Sequence, residues 1–194
     1  MGETIIITSI MADPIPGNLI VRAQRGSPDA NAALYDRYHE SIYRYFYYRF
    51  GDPSLAEDLT ADVFLKMVQA ISGYQIEAAP FQAWLFQIAR NRAIDHYRRT
   101  SSHPTGAIYE NMASGAPDLD QAVDIRLTSS RLAKALAGLE DSQKDVILLR
   151  FIEGMPIAET AIVLNKTMDA IKGLQRRGLI ALREMLNNPE VKNE

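Results

Sequence analysis

Pro156-Ile157-Ala158-Glu159-Thr160-Ala161-Ile162-Val163-Leu164-Asn165-Lys166-Thr167-Met168-Asp169-Ala170-Ile171-Lys172-Gly173-Leu174-Gln175-Arg176-Arg177 is the stretch that decides how the chain folds. It holds two helical patterns separated by the short turn Asn165-Lys166-Thr167, the spacing of a helix-turn-helix. In the second helix, Met168 to Leu186, the residues Ala170, Ile171, Leu174, Ala181, Leu182 and Met185 share one side. Asp169, Lys172, Gly173, Arg176 and Arg183 lie on the other, flanked by Gln175 and Arg177. A helix that enters a major groove needs an apolar stripe docked on its own domain and donors on its free face. Thr167 reads as the N-cap, beside backbone amides able to meet a phosphate. Gly173 and Gly178 each cost about 1 kcal/mol of helix propensity relative to Ala. Gly178 falls on the packed side, and Gly173 on the face where a missing side chain allows close approach to a duplex. The plainer alternative is a helical hairpin ending in a basic surface helix.

Upstream, helices are expected over roughly Leu119 to Ala137 and Ser142 to Ile152, with Gly154 as the break before Pro156. Ser101 to Pro117 mixes Ser, His, Pro, Gly and Asn without period, the mark of a linker. Before it, Ser27-Pro28 opens a helix that Gly51 ends, and Asp52-Pro53 opens another that Gly73 closes. A loop, Tyr74 to Ala79, leads to Pro80 and a helix reaching Arg99, and a short helix lies near Asn18 to Arg25. Apolar residues recur at spacings of three and four, and β-branched runs are rare after residue 8. The expected fold is all-α: two small helical domains joined by a flexible linker, the C-terminal one a helix-turn-helix.

The chain has 194 residues, 47% of them hydrophobic and 23% charged, a balance typical of a globular protein. It contains no cysteine, which excludes disulfides, thiolate zinc sites and thiol nucleophiles. No metal or cofactor is expected. Met1 to Ala12 carries the apolar run Ile5-Ile6-Ile7, but it lacks a basic leader and is too short to span a bilayer. It reads as a loose tail, with Met11 as an alternative start, and Ile6 disfavours myristoylation. A cytoplasmic protein without membrane insertion is expected. After Glu184 only a short polar tail is expected, with no further regulatory domain.

A net charge of −3 argues against binding nucleic acid by bulk attraction. The local distribution is different. Arg90 to Arg99 holds four Arg against one Asp, and Met168 to Arg183 holds four basic residues against one Asp. Between them, Ala107 to Asp145 holds seven acids against four bases. In the helix to Arg99, Phe81, Trp84, Leu85 and Ile88 form one apolar stripe, and Phe86, Ala89, Ala93 and Tyr97 a second. The first stripe continues as Asn91, Arg92, Asp95, Arg98 and Arg99, a face that suits a phosphate backbone and an amide paired with a base edge. The alternative is a solvated helix end whose arginines complement the dipole. Trp84 and the tyrosines of Tyr43 to Tyr48 suit either base stacking or the core, and the stripe places Trp84 in the core. In the helix from Pro53, Ala56, Leu59, Val63, Met67 and Ala70 make the buried face. Asp58, Asp62, Leu65, Lys66 and Gln69 lie opposite, an exposed leucine among acids that reads as a docking patch or as a solvated face.

Three strings then carry a resemblance: Ala56-Glu57-Asp58-Leu59-Thr60-Ala61-Asp62-Val63-Phe64-Leu65, the run Ala83 to Arg99, and Val146 to Pro156 followed by Ala170-Ile171-Lys172. In that order they resemble the extracytoplasmic-function branch of the bacterial sigma factor superfamily, over about Leu19 to Glu184. The first resembles the polymerase-docking helix of the family's second region, the next its promoter-melting helix, and the last the helix-turn-helix of its fourth region. The resemblance implies a tail over 1–17, a region 2 domain over 18–100, a linker over 101–118, a region 4 domain over 119–186 and a tail over 187–194.

It also implies roles. Asp58, Asp62, Phe64, Leu65 and Lys66 would dock on the clamp helices of core RNA polymerase. The loop Gly73 to Ala79 with Tyr74 and Gln75, together with Asn91, Arg92, Arg98 and Arg99, would hold the displaced strand of promoter DNA at the minus-ten element. Lys172, Gly173, Arg176 and Arg177 would read the minus-thirty-five element, with Arg150, Lys166 and Thr167 on phosphates. An anti-sigma factor would be a regulatory partner. Ala61 and Leu174 depart from a glutamine and an arginine common in the family, which weakens one polymerase contact and leaves the minus-thirty-five sequence open. A regulator that binds an operator without polymerase is the alternative. An enzyme using Asp95-His96 is disfavoured, because neighbouring helix positions point about 100° apart.

Overall fold

The computed structural model describes residues 17–101 and 132–187. The expected linker beyond Ser101, the first part of the 119–137 helix and both tails, save Gly17 and Asn187 themselves, lie outside the described residues. The described helices are α1 (Gly17–Gln24), α2 (Pro28–Phe50), α3 (Pro53–Ala70), α4 (Phe81–Ser101), α5 (132–137), α6 (Asp141–Ile147), α7 (Ile157–Leu164) and α8 (Met168–Asn187), with a 3-10 turn at Ile71–Gly73 closing α3. No strand occurs among the described residues, and no described helix is long and apolar enough to cross a membrane.

The punctuation works as the residue types dictate. Ser27 caps α2, its hydroxyl accepting from the Ala30 amide at 3.4 Å, and Pro28 fills the first turn. Gly51, at φ 72°, ends α2 by donating its amide to the Tyr47 carbonyl at 2.7 Å. Asp52 caps α3 by accepting from the Leu55 amide at 3.1 Å. Helices α2 and α3 therefore form a hairpin with almost no loop, and α4 closes against both. Leu34, Ile42, Tyr45 and Phe46 of α2 meet Val63 and Met67 of α3 and Leu85, Phe86 and Ala89 of α4, all buried. Ala70, expected inside, is exposed, while Thr60 is buried with its hydroxyl donating to the Ala56 carbonyl.

In the second half, the expected helix Ser142 to Ile152 divides. α6 gives way to a π turn at Leu148–Ile152, in which the Glu153 amide donates to the Leu148 carbonyl at 3.0 Å. The wider turn re-phases the chain so that Glu153 points inward, with its side chain 1% exposed. Gly154, at φ 65°, then turns the backbone into α7. α8 packs on α6 so closely that a Cβ on Gly178 would stand 3.1 Å from Cγ1 of Ile147. Gly178 is thus a contact point between helices, as its side of the wheel implies.

Both halves share one continuous apolar cluster. α4 lies along α7, and α2 lies against the π turn.

Asp52→Ala should lower stability by about 1 kcal/mol in urea unfolding by removing a cap. Gly178→Leu should cost about 1–3 kcal/mol by overpacking the α6–α8 contact.

Candidate nucleic-acid interface

The helix-turn-helix is built from caps. Asn165, at φ 51°, adopts the left-handed conformation and stops α7. Its amide donates to the Ile162 carbonyl at 3.2 Å, and that of Lys166 to the Ala161 carbonyl at 3.0 Å. Thr167 then starts α8, its hydroxyl accepting from the Ala170 amide at 3.2 Å, as the sequence predicts. With Ile171, Leu174 and Gly178 buried, the opposite side of α8 presents Lys172, Arg176, Arg177 and Arg183 to solvent. Lys172 meets Asp169 at 3.0 Å, and the Arg177 guanidinium lies over Gly173, 3.5 Å from where a Cβ would sit. Lys166 is exposed in the turn, and a shallow depression lined by Ala161, Ile162, Asn165, Lys166, Thr167 and Ala170 opens there.

Arg150 stands differently. Its guanidinium donates to the Met155 carbonyl and, through Nε, to Gln175 Oε1 at 3.2 Å. The side chain expected on a phosphate instead ties the π turn and Gly154 bend to α8, setting the angle of the basic helix.

On α4, Asn91, Arg98 and Arg99 are exposed. Arg92 is not a free donor: its guanidinium pairs with Asp62 of α3, and its side chain is 18% exposed. The pair joins a residue expected to meet polymerase to one expected to meet DNA. In the loop before α4, Gln75 and Ile76 are exposed, but Tyr74 is buried. The Tyr74 hydroxyl donates to the Ala79 carbonyl at 2.6 Å, its carbonyl accepts from Gln24 at 2.7 Å, and its ring lies 4.9 Å from that of Trp84. Tyr74 therefore holds the loop to the core, while its neighbours Gln75 and Ile76 are exposed. Trp84 is half-buried at the rim of the same aromatic group, less enclosed than its stripe predicts.

The α3 patch has Asp58, Leu65, Lys66, Val68 and Gln69 on its outer side, with Leu65 57% exposed. Phe64, expected to dock, is buried, its ring 4.7 Å from that of Tyr35. It supports the patch from beneath.

His96 packs edge-on against Phe50 at 5.2 Å. Burial, reinforced by Arg99 and opposed by Asp52, lowers its pKa. No group of three or more metal-ligating side chains is assembled among the described residues.

Sequence reasoning missed one constellation. Asp145 on α6 accepts from the Tyr45 hydroxyl at 3.0 Å, from Arg90 Nε at 3.2 Å and from Arg49. Glu153 pairs with Arg44 at 3.0 Å, and Gln87 of α4 donates to the Ile162 carbonyl of α7 at 3.0 Å. Burial and the nearby carboxylate push the Tyr45 hydroxyl far above its ordinary range, and burial raises Glu153 despite Arg44. Pairings across 55 to 109 positions leave no periodic trace.

Known proteins resemble this chain in both halves. The family model described as Sigma-70 region 2 matches residues 34–103, and that described as Sigma-70, region 4 matches residues 135–184. The ECF RNA polymerase sigma factor SigX of Bacillus subtilis is 31% identical over 163 residues, covering 78% of this chain and 80% of SigX. The chain belongs to the ECF sigma factors. The ECF RNA polymerase sigma factor BldN of Streptomyces coelicolor is 37% identical over 172 residues, covering 87% of this chain, which spans only 64% of BldN. Among solved structures, the sigma factor RpoE of Bartonella quintana, in complex with the anti-sigma factor NepR, shares the fold with a TM-score of 0.66 at 20% identity, over 84% of this chain and 98% of that one.

Arg150→Ala should destabilise the chain by about 1.5–3 kcal/mol, the worth of hydrogen bonds from a charged group, read by urea unfolding without DNA. For His96, the unfolded chain binds more protons than the folded one below about pH 6.5. Stability should therefore fall as pH drops from that value through the lower folded pKa, and His96→Gln should remove that part of the slope.

Proposed function

We propose that this ECF sigma factor binds core RNA polymerase through the outer face of α3 and directs it to promoter DNA, with α4 at the minus-ten element and α8 at the minus-thirty-five element. One observation carries the reading: α8 buries its apolar side and turns Lys172, Arg176 and Arg177 outward from a capped helix-turn-helix. Gly173 lets the duplex approach, while Lys166 and the amides beside Thr167 meet phosphates. Asp58, Leu65 and Lys66 contact the polymerase clamp, with Asp62 shared between that contact and Arg92. Asn91, Arg98 and Arg99, with Gln75 in the preceding loop, hold the displaced strand.

The division into domains over 18–100 and 119–186, with a linker between, follows from the same reading. Each basic helix alone binds DNA weakly, as a net charge of −3 requires, and polymerase makes the two contacts simultaneous. The chain acts by binding, without catalysis of its own, in the cytoplasm. An anti-sigma factor is its regulator, a reading supported by the Bartonella quintana relative, which is itself a complex with one.

Run-off transcription from a genomic promoter library, with core polymerase in the presence and absence of the chain, is the test. Specific transcripts should require the chain. Tight sequence-specific DNA binding by the isolated protein in a gel shift, with no polymerase association, would overturn the proposal in favour of a self-sufficient regulator. Lys172→Ala with Arg176→Ala should lower the salt slope of promoter binding by the polymerase complex by about 0.9 for each phosphate that is no longer neutralised.

A further inference from the structure

The loop between the 3-10 turn and α4 has a buried anchor and an exposed tip. Tyr74 enters it with 7% of its surface exposed, whereas Gln75, Ile76, Glu77 and Ala78 all face solvent. The Ala78 amide donates to the Gln75 carbonyl at 3.1 Å, so these four residues form one closed turn. Tyr74 holds that turn at both ends. Its own backbone leads into the turn, and its hydroxyl reaches past it to donate to the Ala79 carbonyl at 2.6 Å. Its ring is wedged against those of Phe81 at 5.5 Å and Trp84 at 4.9 Å, both on α4. The turn and Tyr74 form one piece, so whatever fixes Tyr74 fixes the tip.

Two bonds to its backbone hold Tyr74 in place. Its amide donates to the Ile71 carbonyl at 3.1 Å, within the same segment. Its carbonyl accepts from Nε2 of Gln24 at 2.7 Å, a partner 50 positions away on α1. That donor is itself firmly placed. α1 buries Ile20 and Ala23 and packs against both α2 and the 3-10 turn. It ends in a left-handed stop at Gly26, φ 80°, whose amide donates to the Ala23 carbonyl at 2.9 Å, while the Ser27 amide donates to the Arg22 carbonyl at 3.0 Å. Ser27 also caps α2, so Gln24, in the last turn of α1, is tied to α2 rather than to the loop it supports. The bond therefore refers the loop to the frame of the helical hairpin. α1 precedes residues 34–103, which the region 2 model matches, so the family resemblance carries no role over to Gln24.

We propose that Gln24 is a positioning residue for the minus-ten element: by holding the Tyr74 carbonyl it sets the height of the Gln75–Ala78 turn over the start of α4, and with it which base of the displaced strand the turn accepts. The proposal rests on the reading above in which Gln75 faces that strand. Gln75 presents an amide able to donate and accept along a base edge. Beside it, Ile76 is 47% exposed and offers an apolar face to an unstacked base. Hydrogen bonds to a base edge discriminate only while donor and acceptor stay near 3 Å and aligned, so a turn displaced by about 1 Å accepts a wrong base nearly as well as the right one. Position 24 therefore needs an N–H donor of about this reach. Methionine fills the same space without the hydrogen, glutamate sets an acceptor against an acceptor, and lysine restores a donor.

The test uses the full chain with core polymerase and a promoter taken from the run-off library, randomised through both elements, with the transcripts sequenced. The parent chain should show a base preference at each element. Gln24→Met should flatten the preference at the minus-ten position that Gln75 faces by up to about tenfold, the most that one net hydrogen bond supplies, and leave the minus-thirty-five preference unchanged. Tyr74→Phe, which removes the hydroxyl bond to Ala79 and keeps the ring, should flatten the same position. Gln24→Lys should keep the parental preference. Gln24→Glu replaces Gln24→Met if that variant loses helical circular dichroism. A role confined to stability predicts another pattern, in which every promoter is transcribed less and the preferences stay intact. That result overturns the proposal, as does flattening at both elements together, or in Gln24→Lys as much as in Gln24→Met. A parent chain that selects no promoter overturns the sigma-factor reading and this inference with it, whereas a selective parent with equally selective Gln24 variants overturns this inference alone.

Discussion

A carboxylate withdrawn from water is tolerated only where donors replace its hydration, and Asp145 obtains those donors from a part of the chain up to 100 residues away. Tyr45, Arg49 and Arg90 come from α2 and α4, and Asp145 from α6. The relative placement of the two halves depends on this match. The surrounding apolar groups supply area but little direction, whereas four donor and acceptor groups fix both distance and angle. The Gln87 bond to α7 and the Arg44–Glu153 pair extend the same logic along the seam. Buried ion pairs of this type contribute less to net stability than to choosing one arrangement among several.

The same reasoning explains how an acidic protein carries two basic helices. Positive charge is concentrated where an apolar face has already been buried: α4 under Phe86, Ala89 and Ala93, and α8 under Ile171 and Leu174. The second half balances it with acids placed at the contact, away from the basic face of α8. Excess charge would favour any DNA, so on the proposed reading weak contacts joined through polymerase give discrimination that one strong contact would not.

Several side chains that look like ligands turn out to be supports. Tyr74 anchors the loop before α4, Arg150 braces the bend before α7, and Phe64 underlies the α3 patch. Arg92 and Asp62 neutralise each other across α3 and α4. Tyr74 and Phe64 are buried next to the exposed Gln75 and Leu65, and Arg150 reaches Gln175 of α8. On the proposed reading, the surfaces that meet polymerase and DNA are narrower than the resemblance implies.

What the sequence determined by itself is the set of helices, their ends and the side of each that faces inward. These follow from short-range chemistry: Ser27 and Asp52 as caps, Gly51 and Asn165 as left-handed stops, and apolar spacing along α3 and α8. Family membership was legible for the same reason, since three local strings carry it. Tertiary structure alone decided which charged residues face solvent and which face each other. A helical wheel places Arg92 beside Arg98 and Asn91 as equals, but only the packing of α3 on α4 brings Asp62 to one of them. It likewise decided the π turn, the inward Glu153 and the cleft around Asp145, because electrostatic partners separated by scores of residues share neither period nor spacing, and they meet only when the chain has closed on itself.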